Sequence, residues 1–111
     1  MDSSDVIDSE TELKSIKEQA SAEDVRVTLH AHQEMVDEGI TLDDVLQAIE
    51  GGCILESYRE HRRGPCCLIC GFSHNGRPIH VVCTTGREEL IIITVYEPKP
   101  LKWVTPTRRR L

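Results

Sequence analysis

The sequence predicts one small α+β domain in which two or three N-terminal helices pack on a four-stranded antiparallel sheet. Three observations lead there. Up to about residue 50, apolar side chains recur at helical intervals behind capping signals; from Cys53 onward, four short runs are rich in β-branched and apolar residues; and short, turn-forming links join those runs. With 111 residues, 39% of them hydrophobic, the chain can bury one modest core but not two.

Residues 1–8 carry no apolar pattern and read as a disordered acidic tail. The domain is then expected over residues 9–104. Ser9 and Glu12 have capping-box spacing, and Leu13, Ile16 and Ala20 follow on one helical face. A second helix is expected from Thr28 to Glu38, with Leu29, Met35 and Val36 as packing positions and Gly39 as its stop. Thr41 and Asp44 cap a third, whose stripe is Leu42, Val45, Leu46 and Ile49 and which Gly51-Gly52 ends. The strands are expected at Cys53 to Tyr58, Cys66 to Phe72, Ile79 to Thr84 and Leu90 to Tyr96. Asn75-Gly76 signals a tight turn between the second and third, and a link centred on Gly86 joins the third and fourth, so the order is a meander. Leu90 to Ile93 is apolar on both faces and belongs at the centre of the sheet. Pro98 and Pro100 end that strand, Trp103 is expected to fold back as a lid, and residues 105–111 read as a basic tail.

The formal charge of −6 sits almost entirely at the start: residues 1–25 hold eight acids against Lys14 and Lys17, which leaves the remaining 86 residues neutral, with 11 acids and 11 bases. An anionic partner is therefore compatible with the domain, because local charge sets phosphate attraction and bases cluster at Arg59, Arg62 and Arg63 and at Arg108 to Arg110. The acidic, polar start is not an export signal and no apolar run is long enough to cross a bilayer, so a cytoplasmic protein without membrane association is expected. Five cysteines, an odd number, are expected to remain thiols or bind metal rather than form a disulfide framework.

His30 and His32 are two apart on a helix, about 200° around its axis, so only one can serve a given site. The plain alternative makes one a packing or capping residue and the other a solvated one. His80 projects from the opposite sheet face to Ile79 and Val81, and Thr94 and Tyr96 share a face on the next strand; whether His80 joins them depends on register. The plain alternatives are a buried histidine satisfied by one hydrogen bond for His80 and an aromatic at the strand's end for Tyr96. Cys67 and Cys70 have the CxxC-Gly form of a zinc knuckle, with Cys83, His80 or Cys53 as further ligands, yet residues three apart on a strand face opposite sides. The expectation is no cofactor, with the cysteines as small buried hydrophobes. Arg62 and Arg63 can reach phosphates from a loop, or simply be solvated there.

Leu29-His30-Ala31-His32-Gln33-Glu34-Met35 with Gly39-Ile40 and Asp44-Val45, then Gly76-Arg77-Pro78-Ile79-His80-Val81-Val82, then Ile92-Ile93-Thr94-Val95-Tyr96-Glu97-Pro98 and Trp103 form an ordered series. It resembles a bacterial domain-of-unknown-function family that is similar to the RelE and BrnT toxins and often occurs beside a YgiT-type zinc-finger antitoxin. The resemblance implies a RelE-like fold and a metal-independent endoribonuclease acting on messenger RNA, alone or at the ribosome, and held in check by a partner protein. Such cleavage needs a base for the ribose 2′-hydroxyl, an acid for the leaving oxygen and cations for the phosphorane. His80, Tyr96 and His30 are the candidates for proton exchange, and Arg62, Arg63, Arg77 and Arg109 for phosphate binding. Two other functions fit the same residues: a non-catalytic domain binding protein or RNA, and a small zinc protein.

Overall fold

The computed structural model describes residues 4–60, 62, 64–99 and 103–109. Helix α1 (Ser4–Ser21) precedes a short strand β1 (Val25–Val27), helices α2 (Leu29–Glu38) and α3 (Leu42–Gly51), and four strands, β2 (Cys53–Tyr58), β3 (Cys66–Phe72), β4 (Pro78–Thr84) and β5 (Leu90–Tyr96). Strands β6 (Trp103–Thr105) and β7 (Arg108–Arg109) close the chain as a separate hairpin. Among the described residues the fold is α+β, with three helices. The four expected strands pair consecutively and antiparallel, but the sheet has five strands in the order β1-β5-β4-β3-β2 and is mixed, because β1 runs parallel to β5 with Val25 opposite Leu90 and Val27 opposite Ile92. Three residues between two helices are too few to show strand alternation in sequence.

Two more boundaries differ from expectation. Helix α1 starts at Ser4, so Ser9 lies inside it rather than capping it, and part of the segment read as a basic tail is paired as β7. At its other end α1 stops with Glu23 in the left-handed region (φ 56°), where Glu23 N–H reaches Ala20 O and Asp24 N–H reaches Gln19 O. The Gln19 amide then ties α1 to the carbonyls of Arg87 and Glu88 at the β4–β5 turn. Gly39 takes the left-handed conformation (φ 65°) and Thr41 and Asp44 form a reciprocal capping box, as the sequence implies, while Thr28, read as the first helical residue, is instead the N-cap of α2 and accepts from Ala31 N–H. No helix among the described residues is long and apolar enough to cross a membrane.

The helices cover one face of the sheet. There Ile16, Ala31, Met35, Val45, Ala48 and Ile49 meet Cys67, Ile69, Ile79, Val81, Cys83, Leu90, Ile92 and Val95. Helix α3 lies so close to β3 that a Cβ at Gly71 would sit 1.8 Å from Ala48 O, so only glycine allows that approach. On the helix-free face, Cys66, Ile91 and Ile93 form a second, smaller cluster with Tyr58 and Val82.

Helix α2 is rotated from the expected face. Of the three expected packing positions Met35 is buried, together with Ala31, but Leu29 and Val36 are 81% and 62% exposed. The reason lies at the edge of β5, which β1 covers only as far as Ile92. Beyond that point α2 completes the edge: Glu34 accepts Val95 N–H at 3.0 Å and Glu38 accepts Glu97 N–H at 3.1 Å, one turn apart on the helix. Two carboxylates thus stand in for a missing strand, and the row that carries them must face the sheet.

Candidate active site

The site is built on a fault in register. Cys83 lies opposite Ile92, yet Val82 lies opposite Thr94, so Ile93 is an extra residue in β5. Continuing the Cys83–Ile92 register without that insertion would set His80 against Val95. The bulge instead sets His80 against Tyr96 and turns Val95 into the core beside Val81. Thr28 holds the bulge, since its hydroxyl donates to Ile93 O at 3.1 Å while its N–H reaches Ile92 O. One threonine therefore caps α2 and fixes the strand that presents Tyr96.

On the helix-free face the His80 ring is fully buried, with Nδ1 3.1 Å from the Tyr96 hydroxyl and Nε2 2.5 Å from Pro106 O at the tip of the β6–β7 hairpin. A carbonyl oxygen can only accept, which places the ring proton on Nε2; in the neutral imidazole Nδ1 then accepts from the Tyr96 hydroxyl. The two rings meet edge to face, 5.2 Å between centroids and 62° between planes. The register, which the sequence left open, thus brings His80 and Tyr96 together, and both ring nitrogens of His80 are engaged.

The remaining candidates are dispersed. His30 lies on α2, 67% exposed, with Nε2 3.3 Å from Glu34 Oε1, the same oxygen that accepts Val95 N–H. His32 is exposed as well, so neither histidine packs into the core. Arg77 is no open phosphate arm: Nε donates to Glu97 Oε1 at 2.6 Å, and the terminal nitrogens donate to Glu38 O at 2.6 Å and Gly39 O at 3.2 Å. It clamps the C-terminal end of α2, where free carbonyls attract a cation, to the end of β5. Arg62 is exposed on the β2–β3 loop. Arg63 and the side chains of Arg109 and Trp103 lie outside the described residues.

Cys67 and Cys70 sit on opposite faces, Cys67 in the helix-side core and Cys70 beside His80, so they cannot share one metal as a knuckle. Cys83 lies opposite Cys67. Among the described residues no three His, Cys, Asp or Glu side chains come together as a metal site. Burial pushes the Cys66 thiol up, and Cys83 stands well above the ordinary thiol range through its hydrogen bond with Cys67 and through burial. Two features escaped the sequence: the Thr28 anchor, expected only as the first residue of a helix, and the Pro106 carbonyl, which a sequence pattern cannot mark.

Comparison with curated proteins and with solved structures gave no match. A family model does match residues 27–97, from the end of β1 through the Tyr96-Glu97 step, and the chain accordingly belongs to the domain-of-unknown-function family DUF4258.

Proposed function

We propose that the protein is an RNA-cleaving toxin of the RelE-like kind, whose helix-free sheet face meets the messenger RNA. The observation that carries this reading is the in-register His80–Tyr96 pair, a titratable ring and a hydroxyl joined at 3.1 Å on that face. An imidazole can take the 2′-hydroxyl proton and return one to the leaving oxygen without a metal ion, and the hydroxyl beside it orients the ring. Nε2 enters this chemistry once the hairpin withdraws the Pro106 carbonyl. Arg62, exposed on the β2–β3 loop at the Cys66 end of β3, is a cation for the RNA backbone away from the His80–Tyr96 pair, and His30 with Glu34 forms a separate exposed pair on α2. In this reading the face is masked in the cell by a partner protein, the counterpart of an antitoxin.

The test is expression in a bacterial host. The toxin reading expects growth arrest and messenger-RNA loss that His80→Ala or Tyr96→Phe relieves while the variant stays folded, together with RNA cleavage by the purified protein in the presence of a chelator. Unchanged growth and intact RNA at high expression of folded protein would overturn it. A second reading, a non-catalytic domain of the same fold that binds RNA or protein, is favoured by one specific observation: His80 is fully buried with Nε2 already engaged by Pro106 O. It expects RNA or partner binding that survives His80→Ala.

A further inference from the structure

Four of the five cysteines form two cross-strand pairs in register: Cys53 opposite Cys70 on β2 and β3, and Cys67 opposite Cys83 on β3 and β4. The hydrogen-bond pattern fixes the kind of pair each is. The β3–β4 ladder is flanked by Ser73 N–H to Arg77 O and Thr85 N–H to Pro65 O, both 3.0 Å. Bonded and non-bonded pairs alternate along an antiparallel ladder, so Cys67/Cys83 is a bonded pair and Cys70/His80 is not. The Cys70 peptide groups therefore point at β2. Consistent with this, Cys70 O lies 2.7 Å from where a Cβ on Gly52 would be. Cys53/Cys70 is thus a bonded pair too, for which Cα atoms are about 5.5 Å apart, inside the roughly 4.4–6.8 Å span of disulfides.

Only one of the pairs is accessible. Cys53 is exposed and Cys70 lies just beneath it on the helix-free face, whereas Cys67 and Cys83 are fully buried under the helices. We propose that Cys53 and Cys70 are an oxidative modification site, closing to a disulfide across β2 and β3 with Cys53 as the point of attack. The oxidant class is a hydroperoxide. The Cys53 sulfur attacks the outer peroxide oxygen, the O–O bond breaks and Cys53 becomes a sulfenic acid; the Cys70 sulfur then displaces that hydroxyl, forming the S–S bond. With hydrogen peroxide, two thiols lose two protons and two electrons, and the peroxide leaves as two molecules of water. Burial, and then the charge of Cys53, push the Cys70 thiol up, which makes it the poorer first nucleophile and leaves the initial attack to the exposed Cys53. Cys67 and Cys83 provide an internal control: the same register and kind of pair, closed to the oxidant. Because Cys70 is also the β3 partner of His80, the disulfide would form directly beside the His80–Tyr96 pair, although it does not depend on that pair having any activity.

The experiment exposes the full chain to dilute hydrogen peroxide, blocks remaining thiols by alkylation under denaturing conditions, and maps tryptic peptides; Arg59 and Arg62 lie between Cys53 and Cys70 and separate them. The expected product is one intrachain Cys53–Cys70 link, formed with the loss of two hydrogens and reversed by dithiothreitol, with Cys66, Cys67 and Cys83 alkylated. Cys70→Ser should abolish the link and leave Cys53 as sulfenic or sulfinic acid. The proposal fails if folded wild-type protein gives only sulfinic Cys53, a Cys53–Cys53 dimer, or a link that persists in Cys70→Ser and so uses Cys66, Cys67 or Cys83, which share the tryptic peptide of Cys70 because Arg77 precedes Pro78.

Discussion

Arg77 separates a structural from an RNA-binding role more sharply than any other residue, since sequence reading makes it a phosphate ligand and the fold makes it a clamp. Replacing it with glutamine removes a guanidinium whose three nitrogens reach Glu97, Glu38 O and Gly39 O. A bond from a charged donor contributes about 1.5–3 kcal/mol when buried. Here the side chain is 27% exposed, so each carbonyl bond is discounted to about 1 kcal/mol, and the pair with Glu97, itself 31% exposed, adds about 0.5 kcal/mol. The sum is about 2–3 kcal/mol. For a domain of this size that lowers Tm by roughly 10–15 °C. Urea unfolding with thermal melts checks it, alongside Arg77→Lys, which keeps the charge but cannot span three acceptors and should recover less than half of the loss. If Arg77→Gln instead unfolds within about 0.5 kcal/mol of wild type while RNA affinity drops, the clamp is wrong and the phosphate role right.

Gly71→Ala forces a methyl to within 1.8 Å of Ala48 O and must displace α3 from β3; a loss of about 3 kcal/mol or more is expected, and a Tm within a few degrees of wild type would contradict the close approach. Thr28→Ala removes both the α2 cap and the anchor of the bulge, for an expected loss of about 1–2 kcal/mol in urea unfolding, with changed NMR shifts at Tyr96 as the sign that the register has loosened. The Cys66, Cys70 and Cys83 thiols are raised in the folded state, so the stability this reflects is present below the ordinary thiol pKa and is lost as pH rises through the folded values. Unfolding free energy should therefore fall above about pH 9, and Cys83→Ala should flatten that decline; an unchanged slope would count against it. Deleting residues 103–111 removes the Pro106 carbonyl, so His80, protected from diethylpyrocarbonate in the full chain, should be modified rapidly; equal protection in both would show that the hairpin is not its shield.

Much of the molecule was legible from local chemistry. Gly39, the Thr41–Asp44 box and Asn75-Gly76 each act through their own neighbours, so the end of α2, the start of α3 and the β3–β4 turn follow from the residues alone. The alternation in β4 likewise fixed that His80 leaves the sheet on the side away from Ile79 and Val81. What it met there was a tertiary matter. The one-residue bulge at Ile93 depends on a threonine 65 positions earlier, and without it Val95 rather than Tyr96 would face His80. The same limit explains the helix face and the arginine: Glu34, Glu38 and Arg77 are polar in any sequence reading, but unpaired backbone groups at the end of a half-covered strand and at a helix terminus recruit them into the fold. Local periodicity and capping chemistry determined α2, α3 and the four longer strands with most of their ends; the short parallel strand β1, the register between strands, and the polar groups spent on satisfying the backbone, were decided only when distant segments met.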